Sequence, residues 1–543
     1  MSRAAPPSPS APRRRRRIAL AWGAVTFLAL AALSTGPGIS RDEAVAIDAA
    51  ERAAAFWSDL PAHPLAELGR LDRALGGAHP PAPLGPALAA ATHAAAARAG
   101  LPHRIGFRLA TALAGALLSA LLALLAHDLA GDGGALLAPA LYWLAPRQLQ
   151  LGAVATPDTL ATAFWLATAM AYRRSGETPR ARERVGYGLL AGLAFGGALA
   201  ARLDSWVLLP ALAVHAGLLR RAHRRPPSSG PARARGVPPA IGAMLVLGPL
   251  VLAALWPWLW AHPLRRLAAA ATPPQAAWDY LGARLSGTRP PLLYPLAVTA
   301  LSAPAALLLA WAGGLAHAAA RLVWPASGER AEPADDALLL AGAAAPLVAA
   351  AAGLAPLLGG IRPWLPAFPF LAVAGARAVA TAARSAWPAR SGALGLVLSA
   401  ALLWPGAWQV ARCWPEAAAS WGELAGGAPG AASLGMQRQD GGEGAAALLA
   451  ELDARARPGA RVLFVGPAAS ALRVEASDGR LRPDLALAVD PAGADLAVVA
   501  LDGGSRDAEY QVWAAFRSDR PVAGAFLDEV PLAFVYARAG AWR

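Results

Sequence analysis

The chain reads as an α-helical polytopic membrane protein with a small α/β domain at its C-terminal end. Three observations lead there. Of 543 residues, 56% are hydrophobic and only 15% are charged, where a globular chain carries nearer a quarter. Apolar runs recur along most of the sequence, separated by short loops that carry arginines. Past about residue 420 that pattern gives way to short strand-like runs. A lipid solvent requires every spanning segment to satisfy its own backbone hydrogen bonds, and long apolar helices do so.

In order, a basic N-terminus over 1–17, with Arg13 to Arg17, precedes the first apolar run. It resembles a signal peptide, but the many later spans favour a retained first helix. Apolar stretches near 18–34, 105–126, 135–150, 157–172, 186–201, 204–219, 240–260, 291–312, 336–353, 361–378 and 391–410 predict about eleven transmembrane helices. Residues 18–410 thus make a membrane domain with a long loop over 35–104, and 411–543 make the C-terminal domain. Within the latter, Val462–Val465, Leu496–Leu501 and Leu532–Tyr536 read as buried strands. Residues 443–456 read as a helix stopped by Pro458 and Gly459.

Charge gives an independent check. With Arg13 to Arg17 on the cytoplasmic side, alternation brings three loops to that same side. These are Arg173, Arg174, Arg180, Arg182 and Arg184; Arg220, Arg221, Arg224, Arg225, Arg233 and Arg235; and Arg377, Arg384 and Arg390. The loop 35–104 and the C-terminal domain then lie on the non-cytoplasmic side.

The composition also excludes functions. All 49 basic residues are arginines, so no Walker A, Schiff-base or Ser-x-x-Lys lysine exists. The net charge of +14 sits in clusters between apolar runs without interleaved aromatics, which argues against nucleic acid. A single cysteine, Cys413, excludes an internal disulfide and a thiolate metal cluster.

Five elements carry candidate chemistry, each with a plainer reading beside it. Ile39-Ser40-Arg41-Asp42-Glu43 puts two acids just past the first span, where a first helical turn favours them anyway. Ala78-His79-Pro80-Pro81 is by itself a turn signal. Asp158 opens the fourth span in a capping position. Arg202 and Asp204 follow the fifth span, and charges at that depth are costly unless paired or in a wet cavity. Arg362, in Gly360-Ile361-Arg362-Pro363-Trp364-Leu365-Pro366, opens the tenth, where snorkelling accounts for an arginine equally well. The predicted topology places all five on the outer face. Acids near a cavity mouth, with arginines at lipid depth, suit a phosphate-linked lipid substrate meeting a polar acceptor.

The order of these elements resembles the lipid-linked-sugar glycosyltransferases of the GT-C fold. The branch it is most similar to is the family 39 and 83 type, which includes protein O-mannosyltransferases and the aminoarabinose transferase of lipid A. Residues 423–431, Gly435-Met436-Gln437, Trp256-Pro257-Trp258, Tyr280-Leu281-Gly282 and Tyr294-Pro295 look like further parts of bacterial members with an outer C-terminal domain. The chain departs from the family pattern at Ala78, where relatives often carry glutamate. It departs again in lacking the lysine that usually follows, and at Asp440-Gly441-Gly442, where Tyr-Trp-Gly is usual.

The resemblance implies transfer of a sugar from a polyprenyl-phosphate donor to a lipid, glycan or protein acceptor, with inversion at the anomeric carbon. It implies Asp42 as base or charge partner and Glu43 as its orienting or acceptor-binding neighbour. Arg362, Arg202, Arg147 and His79 would hold the donor phosphate, and Asp158 and Asp204 would shape the cavity. No nucleotide is needed at the site, and no cofactor is assigned, with a divalent cation left open. Expected partners are the polyprenyl-phosphate-linked sugar, membrane lipids and an acceptor the sequence does not identify. The competing readings are a transporter and a non-catalytic scaffold. The absence of a visible repeat between the halves, and acids at the outer mouth rather than mid-span, weigh against transport.

Overall fold

A computed structural model describes residues 11–76, 80–223, 238–272, 277–286, 289–324, 333–356, 359–386, 388–439 and 441–543. Eight described helices are long and apolar enough to cross a membrane: Arg13–Leu33, His103–Trp143, Ala181–Ala201, Leu203–Arg220, Ala305–Val323, Pro333–Ala351, Arg362–Ala386 and Pro388–Cys413. His103–Trp143 is in fact a hairpin. Gly131 has φ 75°, a left-handed value that glycine adopts without steric cost, and the chain reverses there. The two legs lie antiparallel, because Gly115 faces Trp143 while Ala123 and Ala135 share a cluster with Ala19. Asp158–Glu177 and the shorter apolar helix Pro239–Leu255 lie at the places of two further expected spans.

Prolines move several boundaries from their expected places. The stretch expected over 291–312 is split: Tyr294–Ser302 stops before Pro304, and the crossing proper is Ala305–Val323. The stretch expected over 240–260 ends at Leu255, where Trp256-Pro257 turns the chain into the short 3-10 helix Pro257–Trp260. Small residues let the helices approach closely. A Cβ on Gly314 would lie 2.4 Å from the backbone of Ala374 and Gly375, so Ala305–Val323 packs on Arg362–Ala386 with nothing between.

Ion pairs mark one end of the bundle. Arg15 and Arg174 meet Asp128 at 2.9 and 2.5 Å, Arg173 meets Asp335 at 2.6 Å, and Asp336 takes both Arg377 and Arg321 at 2.7 and 3.1 Å. The N-terminal arginines therefore share an end with arginines near the close of the fourth and tenth crossings, as charge alternation expects. Arg224, Arg225, Arg233 and Arg235 lie outside the described residues.

The opposite end carries the first loop, the hairpin β1 (Ala277–Tyr280) and β2 (Ala283–Ser286), and the C-terminal domain. That domain holds five strands: β3 (Arg461–Val465), β4 (Ala486–Ala488), β5 (Leu496–Ala500), β6 (Ala523–Leu527) and β7 (Val530–Ala537). Their order is β4-β3-β5-β7-β6, with β4, β3 and β5 parallel and β7 antiparallel to both its neighbours. The three strands legible in the sequence are β3, β5 and β7. β5 is buried along its whole length, as a central strand covered on both faces must be. The segment after the last crossing packs into the membrane domain through Trp421, Ala425, Ala431 and Met436, and the sheet's own core begins at Ala445.

The domain is docked on the first loop. Asp478 accepts from the backbone N–H groups of His103 and Arg104 at 2.6 and 3.2 Å, the unpaired donors that every helix start presents. Arg473 reaches Glu51 at 2.5 Å and Asp48 at 3.3 Å. Ala471 and Val474 bury against Ile39, Ala44 and Ile47.

Candidate active site

Ser40 starts the site. Its hydroxyl accepts from the Glu43 N–H at 3.2 Å and caps the helix Arg41–Asp59. Asp42 and Glu43 thus fall in one first turn about 100° apart around the axis, and so point different ways. Glu43 turns inward. It is fully buried and held by Arg108, itself fully buried, at 2.6 and 2.7 Å. Arg108 also donates to the carbonyls of Ser34, Pro37 and Gly38, and the Ala155 N–H donates to Glu43 at 2.8 Å. The acid expected to work beside Asp42 thus ties the first loop to the hairpin and to the start of the fourth crossing.

Asp42 turns the other way and bonds to Nη1 of Arg362. Its side chain is 42% exposed where that of Arg362 is 8%, so the pair joins a wet rim to a dry interior. Arg362 opens the 3-10 helix Arg362–Ala367. Pro363 and Pro366 hold that turn, and the buried Trp364 anchors it through Thr299 at 2.8 Å and the ring of Tyr294 at 5.8 Å. Arg362 Nε donates to Asp158 at 3.0 Å. Asp158, 1% exposed at the start of the helix Asp158–Glu177, bonds also to Arg202. Arg202 has extended backbone just past Ala181–Ala201. It donates to the Arg362 carbonyl at 3.1 Å and grips Asp204 at 3.0 and 2.6 Å.

Helix ends from four regions of sequence therefore meet in one ionic chain, Asp42–Arg362–Asp158–Arg202–Asp204. Buried charges are tolerated when paired and hydrogen-bonded in this way.

Beside the chain is a narrow open cleft walled by Ser40, Arg147, Gln150, Thr156, Arg362 and Glu443. Arg147 is steered by the linking segment: its Nε donates to the Ser420 carbonyl at 3.2 Å, and its guanidinium lies 4.4 Å over the Trp421 ring. Arg147 and Arg362 line the cleft directly, whereas Asp42, Asp158 and Arg202 reach it through Arg362. Asp204 serves Arg202 and does not line the cleft. His79 lies outside the described residues. Nearby, Glu416 is buried, which pushes its carboxyl up to about 7. Among the described residues no three His, Cys, Asp or Glu side chains gather as metal ligands would.

Sequence reasoning missed Arg108, Gln150 and Glu443. Arg108 had a usable signal, since a lone arginine inside an apolar run calls for a partner. Glu443 had none, because it comes to the cleft from the start of the C-terminal domain.

Residues 79–229 match the family model described as dolichyl-phosphate-mannose-protein mannosyltransferase. Among curated proteins, none matches the chain in sequence. Two crystal structures of ArnT from Cupriavidus metallidurans share its fold over nearly the whole length of both chains. The apo form has TM-score 0.51 and 14% identity, covering 97% of this chain and 98% of that one. The form bound to undecaprenyl phosphate has TM-score 0.50 and 15% identity, covering 96% and 97%. The chain is thus a multi-pass membrane protein with the GT-C fold seen in ArnT, and its residues 79–229 carry the sequence pattern of the dolichyl-phosphate-mannose-protein mannosyltransferases.

Proposed function

We infer that the chain is a membrane glycosyltransferase that moves a sugar from a polyprenyl-phosphate donor to a polar acceptor. One observation carries this reading: a half-exposed carboxylate, Asp42, is bonded to a buried arginine that walls a cleft, with a second arginine on the same cleft. The solved fold relative with undecaprenyl phosphate bound supports the choice of donor.

The acceptor oxygen attacks the anomeric carbon as the bond from that carbon to the phosphate oxygen breaks, with inversion. Asp42 receives the acceptor's proton. The departing polyprenyl phosphate gains negative charge, and Arg362 and Arg147 meet it with fixed guanidinium groups. Such donors act most where charge develops in a water-poor site. Asp158 and Arg202 keep Arg362 aimed, and Glu43 with Arg108 keeps the Asp42 helix in place. Reaction takes place on the extracytoplasmic face of a bacterial inner membrane, with the N-terminus cytoplasmic. The C-terminal domain, joined to the cleft through Trp421 and Glu443, helps shape the acceptor side; the acceptor is a lipid, glycan or protein.

The test is incubation of the purified protein with a panel of radiolabelled polyprenyl-phosphate sugars, beside Arg362→Gln. Consumption of one donor, lost in the variant, is the expected result. A folded, monodisperse protein that consumes and binds none of them overturns the reading.

A further inference from the structure

We propose that Asp42 and the donor phosphate compete for the same edge of Arg362, so that the donor binds first and its arrival releases Asp42 to take the acceptor's proton. This rests on the glycosyltransferase reading above.

Three observations carry it. Arg362 uses two different nitrogens for its two acids: Nε for Asp158 and Nη1 for Asp42. The Asp158 side is buried and fastened a second time by Arg202, whereas Asp42 is 42% exposed. An entering anion therefore displaces the wet partner and leaves the dry one in place. Next, Arg362 itself walls the cleft, with Arg147 on the same cleft. Arg147 offers a first contact to a phosphate before Arg362 changes partner. Finally, Asp42 and Asp158 share Arg362, so its guanidinium already faces two carboxylates before any phosphate arrives. A phosphate approaching Arg362 is repelled by the Asp42 carboxylate until Asp42 moves away, and like charges in a confined site cost more than in water.

The bond to Arg362 also engages Oδ2 of Asp42 and fixes the direction in which the carboxylate points. Before the donor is seated, an acceptor hydroxyl therefore meets a carboxylate turned toward Arg362. Once the phosphate holds Nη1, Asp42 turns free at the rim where the acceptor arrives, and the order of binding follows.

The experiment measures equilibrium binding of undecaprenyl phosphate to the purified full-length chain, with undecaprenol as the uncharged control. Asp42→Asn and Asp42→Ala are compared with the wild type; alanine covers the possibility that asparagine keeps a hydrogen bond to Arg362. The expected result is tighter phosphate binding, about fivefold, in a variant whose sugar transfer is lost, and no change for undecaprenol. Binding by the wild type that is unchanged or weakened in both variants overturns the competition and leaves the glycosyltransferase reading intact. Failure of the folded wild type to bind undecaprenyl phosphate at all overturns both.

Discussion

Glu43 and Arg108 meet through two parallel hydrogen bonds, Oε1 to Nε at 2.6 Å and Oε2 to Nη2 at 2.7 Å, with solvent excluded from both side chains. Two charges out of water are stable only as a pair, so removing one strands the other. Arg108 has a further duty, since it gathers the carbonyls of Ser34, Pro37 and Gly38 where the chain leaves the first crossing. Glu43→Gln and Arg108→Leu are each expected to cost about 3–5 kcal/mol, read as a lowered melting temperature in detergent. Glu43→Leu combined with Arg108→Leu should recover part of the loss, which two independent defects would not do.

Asp42 neighbours Glu43 in sequence but has no such duty to the fold. Asp42→Asn is expected to lower transfer about a hundredfold, the usual weight of an acid–base group, with little change in melting temperature. Near-normal turnover by the well-folded variant would remove Asp42 from the reaction.

Trp421 makes a separate prediction. Its ring lies under the Arg147 guanidinium, a contact worth about 0.5–2 kcal/mol. Trp421→Ala should raise the donor KM about threefold to tenfold and leave kcat less affected. Steady-state kinetics over a range of donor concentration separates the two.

Glu416 predicts a pH dependence. Its folded-state value is raised by burial from 4.5 to about 7, so the folded protein keeps a proton that the unfolded chain releases. Below about pH 4.5 the group has no net effect. Stability then falls as pH rises from 4.5 to 7, by about 3 kcal/mol at most, and is level above that. Glu416→Gln should remove this decline, so melting curves of the two proteins diverge between pH 5 and pH 8 in favour of the variant. Parallel curves would refute it.

Asp478 governs docking of the C-terminal domain. Hydrogen bonds to a charged acceptor are worth about 1.5–3 kcal/mol, and Asp478 receives two from the start of the helical hairpin. Asp478→Ala is expected to raise hydrogen exchange along Arg41–Asp59, which the domain covers. Exchange confined to the sheet itself would argue against the dock.

The fold was widely legible because its two main signals are local. Spans such as Ala181–Ala201 announce themselves by unbroken apolar length, and β3, β5 and β7 by short buried runs between turn residues. Boundaries were less legible wherever proline or glycine redirects a run, as at Pro304 and Gly131, because hydropathy averages over such single residues. The candidate site was legible as residue types at helix ends: Asp42, Asp158, Arg202 and Arg362 were each visible. Their partners were not, because Asp42 and Arg362 stand 320 positions apart.

By itself the sequence determined that this chain crosses a membrane many times, gathers arginines in the loops between its apolar runs and finishes in a small α/β domain. Those properties follow from the cost of exposing polar backbone or unpaired charge to lipid, which is charged against each segment separately. Only the tertiary structure decided where each of two adjacent acids points. Glu43 and Asp42 are chemically alike and differ in sequence by one position; a rotation of about 100° on the helix sends one to a buried arginine and the other to the rim of the cleft. That choice depends on what packs against each face, and residues far along the chain supply it.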